Sequence, residues 1–350
     1  MTKKIRVFIV DDSAIVREIL TENLSRHPQI EVVGSAMDPY IARDKLDSLE
    51  VDVITLDIEM PRMDGLTFLR QIMKHYPKPV IVVSSLAQNE SPGAMKALEM
   101  GAVDVVPKPG GPFSVEEVID LLTDRILTAN TVNPERIFES AERLRTQKKP
   151  ANATNILASL KTTHQLIAIG ASTGGTIALE HLFTQWDPSF PPALAVIHMP
   201  EKFTASFAKR LDELSNATVK EAENGERLLQ GTVYIAPGNY HMLLRTQGTE
   251  RSVKIVSGPK VWNQRPAVDP LFSSVAEQVG RNGIGILLTG MGRDGAKGLL
   301  EIKNAGGFTV AQDEASSIVW GMPKEAIELG AAEKVLGLDA IVPFLHRKLQ

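Results

Sequence analysis

The 350-residue chain contains no cysteine. That absence removes disulfides, thiolate metal sites and a cysteine nucleophile together. Aromatic residues make up only 5%, too few to favour a surface built for stacking bases. Charge of one sign is also missing, because 38 basic residues face 42 acidic ones and leave a net charge of −4. The totals therefore carry no nucleic-acid footprint. Long hydrophobic runs are lacking too: no stretch approaches the ~20 apolar residues of a membrane span. The apolar start at 5–10, interrupted by Arg6, is too short for a signal-peptide core. These absences predict a soluble, cytoplasmic chain.

What is present is enough apolar residue, 43%, for two cores, and a length that suits two domains at roughly 100–200 residues each. Over residues 1–125, short β-branched runs at 5–10, 30–33, 53–56, 80–83 and 103–106 alternate with amphipathic stretches. That alternation predicts an α/β fold, an N-terminal doubly wound parallel five-stranded domain. Residues 126–160 carry turn formers and a stretch, 135–147, able to form a charged helix; they read as a linker. From 161 to 350 the pattern resumes, with buried-strand candidates at 166–169, 194–197 and 283–288. Residues 232–236, 242–245 and 252–256 alternate as antiparallel strands do, so a C-terminal mixed-sheet α/β domain is expected.

Ligands of a doubly wound sheet gather at the carboxyl ends of its strands. Asp11 and Asp12 end the first strand and Asp57 ends the third. Three carboxylates brought together repel unless a hard divalent cation with oxygen ligands, Mg²⁺ by default, lies among them. Ser84 ends the fourth strand and Lys108 follows the fifth, a hydroxyl and an ammonium suited to phosphoryl oxygens. The set points to phosphoryl transfer onto Asp57, although any single aspartate there could simply cap a helix. With the segments 10–12 (VDD), 56–61 (LDIEMP), 63–65 (MDG), 83–84 (VS) and 108–109 (KP), this region resembles the receiver domain of two-component response regulators. The resemblance implies phosphorylation of Asp57 by a partner histidine kinase. It also implies Mg²⁺ held by the aspartates and the Glu59 carbonyl, Ser84 as reporter and Lys108 as phosphate partner. Val105 stands where many receivers carry an aromatic switch residue.

In the second domain the segment 166–175 (LIAIGASTGG) runs a strand into a glycine-rich turn, with Ser172 in a G-x-S-x-G pattern. Such a turn can expose a serine nucleophile or cradle a phosphate, and the turn alone does not choose. Of seven histidines, His198 ends a strand at the same edge (LAVIHMP, 194–200) and suits a general base. Asp294, in the loop after the strand at 283–288, could orient it, with Asp269 as the rival. The order Ser…His…Asp differs from that of the α/β-hydrolase superfamily, which excludes membership of it.

Together the segments 170–175 (GASTGG), 197–200 (IHMP), 264–269 (QRPAVD) and 288–295 (LTGMGRDG) resemble the chemotaxis protein-glutamate methylesterases, the CheB family. The implied activity is hydrolysis of glutamate γ-methyl esters on methylated chemoreceptors, with glutamine deamidation as related chemistry and no cofactor for ester hydrolysis. Ser172 would attack, His198 serve as base then acid, and Asp294 hold the imidazole. The Met291 backbone N–H would bind the oxyanion with help from Thr173. Ala267 and Arg293 depart from the residues many members carry there. Nucleic acid is not among the implied partners, and the only membrane association implied is peripheral, through the receptors. A non-catalytic regulator binding a phosphorylated ligand through 170–175 is the alternative.

Overall fold

Strands β1 (Ile5–Val10), β2 (Ile30–Ala36), β3 (Val53–Asp57), β4 (Val80–Ser84) and β5 (Asp104–Pro107) are built largely from branched side chains that pack well on a pleated surface. Every residue of β3 and β4 is buried, as expected where helices cover both faces of a parallel sheet. The computed structural model describes residues 3–60, 63–84, 91–110, 114–146 and 164–349. The chain divides into two units, Met1–Arg145 and Thr146–Gln350.

In the first unit the strand order is β2-β1-β3-β4-β5, the parallel five-stranded sheet expected. Its helices begin where the sequence supplies a cap. Ser13 caps α1 (Ala14–Ser25), Asp38 caps α2 (Pro39–Leu46) and Asp64 caps α3 (Gly65–His75). Helix α4 spans Ser91–Glu99, and Ser114 with Glu117 forms a reciprocal capping box at α5 (Val115–Ala129). Helix α6 (Pro134–Thr146) buries Ile137 and Ala141, and the Phe138 Cα lies against Gly101 of this unit. Residues 147–160 of the expected linker lie outside the described residues.

The second unit holds a seven-stranded sheet of order β14-β13-β12-β6-β7-β9-β8. Its members are β6 (Leu166–Ala171), β7 (Ala193–Ile197), β8 (Thr218–Glu221), β9 (Thr232–Ile235), β12 (Gly283–Leu287), β13 (Phe308–Gln312) and β14 (Lys334–Leu336). All its pairings are parallel. Among the named strands of the described residues, antiparallel pairing is found in a separate hairpin of β10 (His241–Gln247) and β11 (Glu250–Val256), with isolated antiparallel bridges at Arg227–Ser252 and Val261–Gln264. Parallel and antiparallel elements thus coexist as anticipated, but the expectation for 232–236 is corrected. All four residues of β9 are buried and pair parallel with β7 and β8. Its Thr-Val-Tyr-Ile alternation mimics a half-exposed strand because the tyrosine is inside, its hydroxyl donating to the Arg227 carbonyl.

Helices α7 (Gly175–Thr184), α8 (Phe203–Leu214), α9 (Val268–Val279), α10 (Ala296–Asn304), α11 (Met322–Glu328) and α12 (Leu338–Leu349) complete this unit. Helix α9 lies close on β6 because Gly170 has no side chain. A Cβ there would stand 2.3 Å from Val268 Cγ1 and 3.0 Å from Leu287 Cδ1. Gly170→Ala should therefore overpack this contact and destabilise the unit by about 1–3 kcal/mol. All three tryptophans, Trp186, Trp262 and Trp320, lie in the second unit, so tryptophan fluorescence during urea denaturation reads it selectively. An unshifted midpoint would show that Val268 can yield.

Candidate functional site

The order of the first sheet brings its chemistry to one edge. Strands β1 and β3 are neighbours with Val10 opposite Leu56, so Asp11 and Asp57 emerge side by side. One carboxylate oxygen from each of Asp11, Asp12 and Asp57 lies within 4.8 Å of the others. Asp11 and Asp57 are buried and Asp12 is exposed. The loop is held by Arg17, whose guanidinium donates to the carbonyls of Asp11 (2.8 Å) and Asp12 (3.0 Å). The Ser13 N–H donates to Asp11 Oδ1, and the Glu59 N–H to Asp57 Oδ1. From beyond β5, Lys108 Nζ reaches Asp57 Oδ2 at 2.7 Å and Asp11 Oδ2 at 3.6 Å. Ser84, at the end of β4, is fully buried and its carbonyl accepts from the Lys108 N–H. Val105 is a buried residue of β5.

The electrostatics show what this cluster wants. Burial pushes the Asp11 carboxyl up to about 6, against the opposing field of Lys108. Burial raises Asp57 also, although the Lys108 hydrogen bond and the Glu59 N–H work against it. Burial disfavours the Lys108 charge, but the bond to Asp57 and the surrounding aspartates outweigh it and lift its pKa. One lysine does not satisfy three carboxylates: Asp11 Oδ2 is buried without a hydrogen-bond partner among the described residues. This hard, all-oxygen set with spare acceptor capacity fits Mg²⁺.

In the second sheet β6 lies between β12 and β7. Ala171 pairs with Ile197 and Gly170 with Leu287, so the residues just beyond each strand converge. Ser172 Oγ lies 3.0 Å from His198 Nδ1, and His198 Nε2 lies 2.7 Å from Asp294 Oδ2. The three are 5%, 6% and 1% exposed respectively. The turn is possible because Gly174, at φ 76°, takes the left-handed conformation just before α7. Asp294 is held on its other side by α9: the Val268 N–H donates to Oδ2 at 2.6 Å and the Asp269 N–H to Oδ1 at 2.9 Å. The helix N-terminus thus stabilises the carboxylate that faces His198. With Nε2–H donated to that carboxylate, Nδ1 carries the lone pair toward Ser172 Oγ. A hydroxyl bonded to an imidazole, and that imidazole to a buried carboxylate, is an arrangement that can activate a serine hydroxyl.

The rival aspartate has a different place. Asp269 accepts from Trp262 Nε1 (2.8 Å) and the Gly298 N–H (2.8 Å), and its own N–H supports Asp294. Burial raises its carboxyl pKa, with those two donors opposing. Met291 is 41% exposed on the loop after β12, whose Gly290 packs so close that a Cβ would meet the Ser172 Cβ at 2.7 Å. Thr173 is buried with its hydroxyl lacking a partner among the described residues. His241 is an internal strut: Nε2 faces the Pro259 carbonyl and Nδ1 accepts the Ala267 N–H. Sequence reasoning did not single out Val268 or Trp262. Backbone donors carry no side-chain signature, and a loop tryptophan has no periodicity to mark it.

A family profile described as CheB methylesterase matches residues 167–345, and one described as Response regulator receiver domain matches residues 7–120. Over 344 residues the chain is 51% identical to a protein-glutamate methylesterase/protein-glutamine glutaminase 2 from Syntrophus aciditrophicus (strain SB), covering 98% of this chain and 99% of that one. A protein-glutamate methylesterase/protein-glutamine glutaminase from Bdellovibrio bacteriovorus is 47% identical over 351 residues, covering 100% of this chain and 99% of its own. The crystal structure of the Thermotoga maritima CheB methylesterase catalytic domain is 42% identical with a TM-score of 0.51, covering 52% of this chain and 96% of that chain.

A raised carboxyl pKa has a signed consequence for stability. Because Asp11 holds its proton to about pH 6 in the folded chain, its contribution is present below the unfolded value of roughly 3.9 and lost as pH rises through 6. In chelator at pH 7, Asp11→Asn should therefore raise the first unit's melting temperature, by roughly 2–5 °C. Mg²⁺ should raise that of the parent chain and have little effect on the variant. Equal responses of both chains to Mg²⁺ in calorimetry would remove Asp11 from the cation site.

Proposed function

The chain belongs to the CheB methylesterase family and carries a response regulator receiver domain, and we propose that it hydrolyses glutamate γ-methyl esters on chemoreceptor cytoplasmic domains under phosphorylation control. The observation that carries this reading is the unbroken hydrogen-bond chain from Ser172 through His198 to Asp294. Ser172 Oγ attacks the ester carbonyl carbon while its proton passes to His198 Nδ1. Asp294, held in place by the α9 N–H groups, stabilises the imidazolium that forms and fixes the ring. The Met291 backbone N–H takes the oxyanion and the Thr173 hydroxyl assists; one such donor is worth about 10²–10³ in rate. The C–O bond then breaks, His198 returns the proton, and methanol leaves an acyl-Ser172. Water attacks with His198 again as base, releasing the γ-carboxylate and restoring the serine. A glutamine substrate follows the same steps with ammonia leaving, consistent with the relatives' double name. No cofactor enters the ester chemistry.

In the receiver, Asp57 is the phosphoacceptor for a partner histidine kinase. Asp11, Asp12, Asp57 and the Glu59 carbonyl are the residues that would hold Mg²⁺, which when bound offsets the charge gathered by an incoming phosphoryl group. Lys108 pairs with the phosphoryl oxygens, and Ser84 responds from the next strand end. We assign residues 1–125 to the receiver, 126–160 to the linker and 161–350 to the esterase. No helix among the described residues is long and apolar enough to cross a membrane; the reading places the enzyme in the cytoplasm, meeting membrane receptors peripherally.

A methanol-release assay on methylated receptor domains tests both halves. Ser172→Ala should reduce turnover by at least about 10⁴-fold, and turnover near the parent rate would take the serine out of its role. Acetyl phosphate should accelerate the parent chain, and Asp57→Asn should remove the acceleration. A variant that still responds would locate the phosphoacceptor elsewhere.

A further inference from the structure

Beside the triad, a surface feature has no part in the chemistry above. Trp262 is 49% exposed although it is the bulkiest kind of side chain. It stands in a tight turn in which Val261 and Gln264 exchange backbone hydrogen bonds, with φ 53° at Trp262 and 60° at Asn263. Neither central residue is a glycine, so the turn holds two side chains in a backbone region that L-residues disfavour. Strain of this kind persists where surrounding structure enforces it, and it gathers at working surfaces. The enforcing contact here is the indole N–H, which donates to the buried Asp269 carboxylate at 2.8 Å.

The exposed indole face in turn supports a cation. The Arg293 guanidinium carbon lies over the Trp262 ring, 5.2 Å from its centroid, a cation–π contact that holds the group beside the indole. Arg293 is exposed and makes no ion pair with any described carboxylate. It immediately precedes Asp294, on the loop whose Gly290 packs against Ser172. An exposed side chain on that loop is placed to meet substrate chain flanking an ester delivered to the buried serine.

We propose that Arg293, braced on Trp262, is a specificity-determining residue that pairs with a carboxylate of the substrate flanking the reacting glutamyl ester. The inference rests on the esterase reading and names its substrate class: an ester within an acidic peptide segment. A guanidinium held by an aromatic ring and not engaged by a carboxylate keeps N–H donors for bidentate pairing with one. The flanking position follows from burial, because the reacting carbonyl must reach Ser172 inside while Arg293 stays at the surface. Trp262 acts through Arg293 as a positioning residue.

The test uses the full chain and two helical peptides, each with one γ-methyl glutamate, flanked by glutamates in one and glutamines in the other. Hydrolysis by the parent chain should favour the acidic peptide by about fivefold in kcat/KM, the preference shrinking as salt rises. Arg293→Gln should erase the preference and Arg293→Glu should invert it. Trp262→Leu should weaken it, whereas Trp262→Phe, which keeps an aromatic face, should retain most of it. The same ranking is measured without turnover by equilibrium binding of both peptides to Ser172→Ala chains with and without the Arg293 substitutions. Undiminished acidic preference in Arg293→Glu, in rate or in binding, overturns the proposal. Absence of turnover by the parent chain, with the Arg293-dependent binding ranking intact, would overturn the esterase reading instead.

Discussion

The second unit is organised around a single buried anion. Asp294 is 1% exposed, and an ionised carboxylate so placed costs several kcal/mol unless donors surround it. Val268 N–H, Asp269 N–H and His198 Nε2 supply them. That requirement fixes much else. Helix α9 must present its first turn at the end of β12, which brings Val268 against Gly170 and Gly295. Strand β7 must end level with β6, so that His198 faces both the anion and Ser172. Ser172, His198 and Asp294 follow three adjacent parallel strands, while the donors that hold Asp294 come from a helix that follows an excursion through the β10–β11 hairpin.

The first unit handles buried charge in the opposite manner. Its carboxylates are gathered at a sheet edge with one lysine among them, and Asp11 Oδ2 accepts no hydrogen bond from the described residues, Lys108 Nζ standing 3.6 Å away. Asp294 is satisfied by fixed dipoles and is organised before any substrate arrives. Asp11 and Asp57 are under-satisfied, and their raised pKa values record it. Such a cluster keeps acceptor capacity for a cation because its own donors fall short. One chain thus contains a carboxylate held rigidly by fixed donors and a carboxylate cluster left short of them.

Much of this was legible in the residue order. The β-branched runs located the five strands of the first unit, and the residues just past them located Asp11, Asp57, Ser84 and Lys108. Ser172, His198 and Asp294 were also found as strand-end residues. Other features resisted. The alternation at Thr232–Ile235 suggested one exposed face, yet Tyr234 is inside because its hydroxyl finds partners in the chain before it. Asp269 rivalled Asp294 as the third member, and no local pattern separates a carboxylate that touches a histidine from one that accepts an indole N–H.

The sequence by itself determined where nucleophile, base and phosphoacceptor could be, because parallel strands expose their carboxyl ends and hydrophobic runs mark where strands stop. It also excluded a cysteine nucleophile, since the chain has no cysteine. Tertiary structure alone decided which aspartate faces His198, which imidazole nitrogen meets the serine, and that Trp262 stands out with Arg293 over it. Those outcomes depend on strand order and on backbone N–H direction. Neither is written in local residue pattern; both arise only when segments 26 to 96 residues apart are packed together.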